Sequence, residues 1–319
     1  MRYLYWGLAI LSVAICTLPS QDAPHDLRTA AKKGDTFWFV ESADQSYEAV
    51  LVANPSKTWV RVHRTFRVTI QDVLKNGHRI VEIVIVRVHG SMRLMGSNEQ
   101  HFDSADPPAD IEQAKKTNST GDFVSRMVEI VNRKFLARID ANGKVASSLI
   151  GVAAEMKHHV PKLRWDDRAL QQLAETAFGR LPEKLVSVGD NWDHEQQAPG
   201  GNMPFRQKAV VTLKSWGDDA FALSVTGTVD KMELPITASD KEIAKEAAKM
   251  RNKTKVSNGK VTGEQSISRR DGVVIASKIT VTADLSTSSP RGVTQAKLRI
   301  VATLKRSTKE AALPKTTPK

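Results

Sequence analysis

The segment TWVRVHRTFRVTIQDVLKNGHRIVEIVIVRVHG, residues 58–90, decides the fold class. In residues 58–70, apolar side chains alternate with polar or charged ones, and Arg64 is the only charged residue at an apolar position. Successive side chains of a strand point to opposite faces of a sheet. The alternation therefore predicts a long, half-buried antiparallel strand.

A hairpin is the expected continuation of this strand. Asn76-Gly77 is a strong signal for a two-residue turn between antiparallel strands. Residues 79–90 are then apolar at both odd and even positions, which is typical of a strand covered on both faces. The segment thus predicts a half-buried strand that is paired with a central one.

Helical spacing is confined to the middle of the chain and a few short segments. In residues 151–180, Leu170, Leu173 and Ala177 fall on one helical face, after a candidate N-cap at Asp166 or Asp167. Shorter helices are predicted at 26–32, 121–133 and 239–250. Two further turn signals, Asn142-Gly143 and Asp271-Gly272, mark hairpins.

These patterns predict a mainly β protein of the α+β class, with a curved antiparallel sheet or sheets in two strand-rich halves packed on a few central helices. The predicted organisation is a signal peptide at 1–20, a polar lead-in at 21–33, one β-rich domain at 34–306 and a disordered basic tail at 307–319. Within the domain, strand groups at 34–105 and 186–306 flank a middle of helices and a hairpin at 121–180.

The first residues have the composition of a secretory signal. Arg2 precedes an uncharged apolar run from residue 4 to residue 18, and Pro19-Ser20 ends it. The run is short for a membrane span, which takes about 20 residues. Cys16 is the only cysteine, but Ile15 before it argues against a lipidated cysteine. We therefore expect an exported protein of the periplasm or cell envelope, or an extracellular one, held by its core rather than by disulfides.

The chain is strongly basic, with a formal net charge of +12. Such a balance favours nucleic acid, anionic lipid headgroups or acidic polysaccharides as partners, and in an exported protein an anionic envelope surface. Lysines and arginines are spread along the whole chain, however, and no block of them forms a nucleic-acid-binding motif. A solvated basic surface is the simpler interpretation.

The stretch LPEKLVSVGDNW, residues 181–192, is predicted to be the corner at which a strand starts. Pro182 ends the preceding helical segment, Gly189 permits a positive φ and Asp190 can bond its own backbone in a turn. Trp192 would then anchor the new strand. We interpret these residues as structural, and a ligand contact by Trp192 is the alternative.

Three stretches carry a resemblance to a known family: HFDSADPP (101–108), RIDANGKVASSLIG (138–151) and LPEKLVSVGDNW. In this order they resemble a family of exported bacterial proteins known only as a domain of unknown function. That resemblance implies no activity and no catalytic residue. A curved sheet with helices is also similar, at the level of the fold alone, to periplasmic lipoprotein carriers, which would imply an acyl ligand.

No catalytic constellation is found, and we expect neither an enzyme, nor a cofactor, nor a metal site. The sequence has no nucleophile elbow, phosphate loop or dinucleotide fingerprint. Asp103 and Asp106 are paired carboxylates, but turn formation explains them better than catalysis. The carboxylates around His194 in DNWDHE match no metal-ligand spacing and are interpreted as a solvated turn.

Two functional hypotheses remain open. In the first, the protein is a non-enzymatic binding or carrier module of the bacterial cell envelope for an apolar or amphipathic ligand such as a lipid, which predicts a large apolar cavity. In the second, it is a structural or interaction protein whose sheet is filled by its own helices, which predicts no cavity and an exposed strand edge or patch. A hydrolase is a more distant alternative, because it would require a convergent polar cluster.

Overall fold

The computed structural model describes residues 23–50, 55–93, 98–106, 130–150, 167–197, 205–231, 254–289 and 292–309. These residues form twelve strands and one helix. The elements are β1 (Thr36–Val50), β2 (Pro55–Val73), β3 (Arg79–Arg93), β4 (Gln100–Asp103), β5 (Lys134–Ile139), β6 (Val145–Ile150), α1 (Asp167–Phe178), β7 (Asn191–Gln197), β8 (Phe205–Trp216), β9 (Ala220–Lys231), β10 (Thr254–Ser268), β11 (Val274–Ser289) and β12 (Gly292–Ser307).

All twelve strands belong to one sheet, in the order β6-β5-β3-β2-β1-β12-β11-β10-β9-β8-β7, with β4 paired to β3. Neighbouring strands are antiparallel throughout. The first strand pairs with the last one over a long register, from Trp38 opposite Ser307 to Val50 opposite Gln295. This pairing joins the two predicted strand groups into a single sheet.

The sheet is strongly curved, since residues of strands far apart in its order meet on one side. Glu41 of β1 and Gln196 of β7 line the same cavity, although five strands separate β1 from β7 in the sheet. One continuous hydrophobic core fills the concave side. We call that side the inner face and the opposite side the outer face.

The predicted α+β class with a few central helices is wrong for the part of the chain that the structure describes. Its only helix there is α1, with 12 residues. Asp26–Lys32 is not helical, and residues 130–133 form a turn and a bridge instead of the end of a helix. The physical reason is the curvature, because inner side chains cover one another across the sheet. The helices predicted at 121–129 and 239–250 lie outside the described residues.

Several local predictions are confirmed. The helix in 151–180 is α1, and Leu173 and Ala177 are buried as its spacing predicted. The three hairpins follow their turn signals, between β2 and β3, β5 and β6, and β10 and β11. The alternation in β2 separates the two faces as expected, and Phe66 stacks on Phe39 of β1 at 5.2 Å between ring centroids.

The lead-in before β1 covers one end of the curved sheet. Its residue His25 bridges Val186 and stacks on Trp216 at 3.9 Å between ring centroids. Arg79, the first residue of β3, is 7% exposed and donates hydrogen bonds to the carbonyl oxygens of Thr29 and Ala31 in the lead-in. These bonds satisfy backbone groups that a helix would otherwise have paired, which explains why this segment is extended. Within the described ranges, no helix has the length and apolar character needed to cross a membrane.

Candidate functional site

Polar side chains interrupt the apolar inner face of the sheet. We call them the inner polar cluster, and its members are Glu41, Arg64, Glu175, Arg180, His194, Gln196, Gln207, Gln265 and Ser277. Four of them follow from the strand register. Arg64 lies opposite Glu41, Glu41 opposite Leu304, Leu304 opposite Ser277, and Ser277 opposite Gln265. The register therefore places these polar residues in one row across five strands.

Arg64 and Glu41 form a largely buried ion pair. Arg64 Nη1 lies 2.8 Å from Glu41 Oε2, and the two side chains are 17% and 12% exposed. The charge that breaks the apolar alternation of β2 is thus neutralised by a carboxylate on the neighbouring strand. A buried charge without such a partner is costly, so each residue needs the other.

Arg180 is the most deeply buried cation of the cluster. It is the second residue after α1, and Gly179 between them has a φ of 75°, which ends the helix. Arg180 is 5% exposed. Its Nη2 donates a long hydrogen bond of 3.4 Å to Gln207 Oε1, whereas its Nη1 is buried without a partner. Burial lowers the pKa of Arg180 to about 10, an effect that Glu175 opposes. The side chain is still a cation at neutral pH.

Glu175 lies one helical turn before Arg180 and does not pair with it at ion-pair distance. Its Oε1 accepts a hydrogen bond of 3.2 Å from the backbone N–H of Val145, which lies at the start of the edge strand β6. Burial raises the pKa of Glu175, while the N–H of Val145 opposes the shift. Glu175 thus bonds to the edge strand β6 and interacts with Arg180 electrostatically, without a direct ion pair.

Two glutamines of the cluster also have buried polar atoms without a partner. Gln207 is completely buried and Gln265 is 4% exposed. Gln207 Nε2 and Gln265 Oε1 each have no hydrogen-bond partner. Native proteins satisfy most buried polar atoms, since each unpaired one costs about 1–3 kcal/mol. The unpaired polar atoms of Arg180, Gln207 and Gln265 therefore mark a place that can receive an additional polar group.

A cavity of about 30 Å³ lies within the cluster. Its lining mixes the polar residues Glu41, Arg180 and Gln265 with the apolar Ile279 and Leu304. At ~10–15 Å³ for each water-sized group, such a cavity holds two or three of them. The described part of the interior is otherwise packed with apolar side chains.

His194 is held neutral beside Arg180. Burial, and then the positive charge of Arg180, lower the pKa of His194 to about 4. Its Nε2 lies 2.9 Å from Gln196 Oε1, a hydrogen bond that opposes the shift. The neutral ring therefore offers hydrogen bonding, and not charge, to the cluster.

This shift predicts a loss of stability in acid. Between pH 6.5 and about 4, the unfolded chain binds a proton at His194 that the folded chain does not. The free energy of unfolding should therefore fall by up to about 1.4 kcal/mol per pH unit as the pH decreases. Glu175, with its raised pKa, acts in the opposite direction, so the measurement compares variants.

Urea denaturation from pH 7 to 4 should show that the His194→Gln variant lacks this part of the slope. His101→Gln, at an exposed position on β4, is the matched control. Equal slopes for His194→Gln and the parent protein would show that His194 does not titrate in this way.

The corner residues of LPEKLVSVGDNW lie beside the cluster. Gly189 has a φ of 95°, and Asp190 Oδ2 accepts a hydrogen bond of 2.8 Å from the N–H of Ser187. Pro182 is buried four residues after the end of α1. Trp192, the second residue of β7, packs against the core and donates from Nε1 to the carbonyl oxygen of Arg180 at 2.9 Å. Trp192 therefore fixes the backbone of Arg180.

Asp103 and Asp106 are not part of this cluster: Asp103 ends β4 on the face opposite to the buried Phe102, and Asp106 lies in the turn that follows. Asp103 forms a two-fold ion pair with Arg87, whose Nε lies 3.0 Å from Oδ1. Burial opposes its ionisation, but the hydrogen bonds from Arg87 and Ala105 outweigh burial and lower the pKa of Asp103. Asp106 is exposed and its N–H donates to the carbonyl oxygen of Asp103 at 3.2 Å. The two carboxylates form a turn and do not face one another across a cleft.

The acidic residues around His194 are separated by the strand itself. Along β7, Trp192, His194 and Gln196 are partly buried, whereas Asp193 and Glu195 are exposed on the outer face. Across the described ranges, no three histidine, cysteine or acidic side chains are grouped as metal ligands.

Residues 153–274 match the model of DUF6263, a family of unknown function. This segment contains Glu175, Arg180, His194, Gln196, Gln207 and Gln265, which are most of the inner polar cluster. It also contains LPEKLVSVGDNW, but HFDSADPP and RIDANGKVASSLIG lie outside it. The expected likeness to a family of unknown function is confirmed for this segment.

No curated protein matches the chain at a significant level of sequence similarity. Two solved structures show low similarity over most of its length. An outer membrane channel from Pseudomonas putida F1 is 8% identical, with 89% of this chain and 99% of that chain covered and a TM-score of 0.24. DynF, from the dynemicin biosynthesis pathway of Micromonospora chersina, is 7% identical, with 97% and 96% covered and a TM-score of 0.19.

The sequence analysis missed most of the cluster. Arg64 was recognised only as a break in the alternation of β2. Gln207 gives the same kind of signal in FRQKAVVTLKSW, where it precedes Ala209, Val211 and Leu213 at every second position. Arg180 gives no local signal, because its burial depends on strands that are distant in the sequence.

Proposed function

We propose that the protein is an exported, non-enzymatic binding module of the bacterial cell envelope. Its inner polar cluster would receive the polar group of an amphipathic ligand. The observation that carries this proposal is the set of buried, unpartnered polar atoms on Arg180, Gln207 and Gln265. A ligand that bonds to them recovers free energy that the unliganded protein forgoes.

The apolar part of the ligand is supported by the surroundings of the cluster. Ile279, Ala302 and Leu304 line the same cavity. Further along β11 and β12, the inner face continues with buried apolar side chains: Val281, Ala283, Leu285, Ile300, Leu298 and Ala296. Because the cavity has only about 30 Å³, an apolar tail has to separate inner side chains that now pack together. The large apolar cavity expected of a carrier is not found among the described residues, whose packing also fits the alternative of a self-filled sheet.

Native mass spectrometry of the protein purified gently from its own cell envelope tests the proposal. We expect an additional small mass that is lost on mild denaturation. In the Gln207→Leu variant that mass should be diminished, whereas Gln295→Leu, at an exposed position on β12, should retain it. A clean unliganded mass, together with no binding of a fluorescent fatty acid, would overturn the proposal and favour the structural alternative.

A second candidate function is docking to an acidic polysaccharide of the envelope, and the outer face supports it. Lys208 lies opposite Thr228, Thr228 opposite Lys260, Lys260 opposite Thr282, and Thr282 opposite Arg299. The cations Lys208, Lys260 and Arg299 are exposed and occupy every second strand. With strands ~4.8 Å apart, they are spaced about 10 Å from one another. We call these three residues the outer basic row.

Few acidic side chains neutralise the outer basic row. In the described part of the chain, only Lys208 has an ion-pair partner, Asp230 at 3.8 Å, and both of these side chains are more than half exposed. A row of cations on a convex face suits a linear polyanion, which can follow the curve, better than a flat membrane.

Chromatography on immobilised heparin tests this candidate, with anionic vesicles as a separate arm. Elution of the Lys260→Glu/Arg299→Glu variant should require less salt than elution of Lys214→Glu/Lys305→Glu, which has the same net charge but lies off the row. Equal elution of the two variants would show that net charge alone matters. Binding to vesicles but not to heparin would replace the polysaccharide with a lipid surface.

A further inference from the structure

We infer that the polar group received by the inner polar cluster is a carboxylate and that Arg180 binds it. This inference rests on the proposed function, since it names the chemical class of the ligand at the same site. It is carried by the charge balance, the free donors and the size of the cavity.

Among the described residues, Arg180 is the one cation of the cluster without a direct ion pair. Arg64 is neutralised by Glu41 at 2.8 Å. In the described part of the chain, Arg180 has no carboxylate within ion-pair distance, and Gln207 is its only side-chain partner there. Glu175 is turned to the backbone of Val145, and burial raises its pKa. An anion is therefore the complement that this site lacks.

The free donors are arranged around the same guanidinium. Arg180 Nη1 and Gln207 Nε2 are both buried and unpartnered, and Gln207 is bonded to Arg180. Gln265 contributes a third polar atom. Its amide lies 3.5 Å from the Ser277 hydroxyl, which can donate as well as accept, so the amide can turn its NH2 group towards an anion. Arg180 and Gln265 line the cavity, whereas Gln207 contacts the guanidinium from outside it. A planar guanidinium beside an amide suits the two oxygens of a carboxylate.

The size of the cavity selects against larger anions. A volume of about 30 Å³ accommodates groups of the size of two or three waters, which matches two carboxylate oxygens. Glu41 and Glu175 also line the cavity and oppose any anion, so a phosphate, with more oxygens and a second negative charge, is opposed more strongly than a carboxylate. A cationic ligand would meet Arg180 without a counter-charge. A monocarboxylate with an apolar remainder is the class that fits all three observations.

Calorimetric titration of the full mature protein, with any copurifying ligand first removed, tests the inference with octanoate and with octanol as its neutral analogue. We expect octanoate to bind and octanol to bind at least about tenfold more weakly, because hydrogen bonds to a charged group are the stronger ones. In the Arg180→Met variant, octanoate should lose this advantage. Arg138→Met, which removes a half-buried arginine from the outer face of β5, should bind like the parent protein.

The variant itself is expected to fold. Replacing an unpaired buried cation with an apolar side chain of similar length removes a desolvation cost, so Arg180→Met should melt at the same temperature as the parent or higher. A higher melting temperature together with the loss of octanoate binding distinguishes a binding role from a structural one. A lower melting temperature would assign Arg180 to stability and overturn the inference.

The remaining outcomes separate the inference from the proposed function. Equal binding of octanoate and octanol, unaffected by Arg180→Met, would overturn the carboxylate and leave an amphipathic ligand in place. No binding of either compound, with no copurified mass, would overturn both. As an independent readout, [1-13C]octanoate should keep its carboxylate signal ionised to lower pH when bound than when free, and Arg180→Met should abolish that difference.

Discussion

Replacing Glu41 with alanine is expected to lower the free energy of unfolding by about 3 kcal/mol. The reason is the charge that it leaves behind. Arg64 is only 17% exposed and its guanidinium contacts Glu41 at 2.8 Å. Without the carboxylate, a cation would remain on the inner face of β2 with little water to solvate it.

The double variant Glu41→Leu/Arg64→Leu provides the decisive comparison by urea denaturation. It removes both charges, so it should recover most of the stability that Glu41→Ala loses. Asp44→Ala is the matched control, because Asp44 is an outward-facing residue of the same strand. Its ion pair with Arg61 is 3.4 Å long and about half exposed, so its loss should cost less than about 1 kcal/mol. Equal losses for Glu41→Ala and Asp44→Ala would contradict the burial argument.

The ion pair also illustrates what sequence patterns can predict. Alternation in β2 was sufficient to assign its two faces, and it singled out Arg64 as an exception. It was not sufficient to identify Glu41, because that partner depends on the pairing of β1 with β2. Faces can be predicted from period-two patterns, whereas the register between strands depends on contacts across the sheet.

Whether the strands form one sheet or two stayed open in the sequence for a related reason. The sequence showed two strand groups, and nothing local indicates that β1 pairs with β12, at the other end of the chain. Once that pairing forms, the inner faces of distant strands cover one another, and the helical cover that we expected is unnecessary. The apolar strands were recognised correctly, but what covers them was not.

The candidate site was predicted least well. The glycine, proline and tryptophan of LPEKLVSVGDNW are conspicuous in the sequence, yet of these three only Trp192 is shown to contact Arg180, through its backbone carbonyl. Arg180 and Gln207 are 27 residues apart and meet only because the sheet curves around the end of α1. When long-range contacts bury a polar residue in this way, the sequence around that residue shows no periodic pattern that would predict the burial.

Replacing Phe178 with alanine is the second change with a large expected effect, a loss of about 4 kcal/mol in the free energy of unfolding. Phe178 is the last residue of α1 and has no exposed surface. It packs against the turn between β5 and β6 so closely that a Cβ on Gly143 would lie 2.8 Å from its own Cβ. The removal of the ring would leave a cavity between the helix and that turn.

Thermal and urea denaturation of Phe178→Ala should be compared with Val210→Ala, a truncation at an exposed site of β8 that should cost less than about 1 kcal/mol. Gly143→Ala is an independent test of the same contact. Its φ of 84° and the short approach to Phe178 both disfavour a side chain there, so it should also destabilise the protein. If Gly143→Ala is neutral, the turn does not hold Phe178 as described. If both variants destabilise, the end of α1 is anchored at Phe178, and this packing acts together with the hydrogen bond from Trp192 to hold Arg180, two residues later.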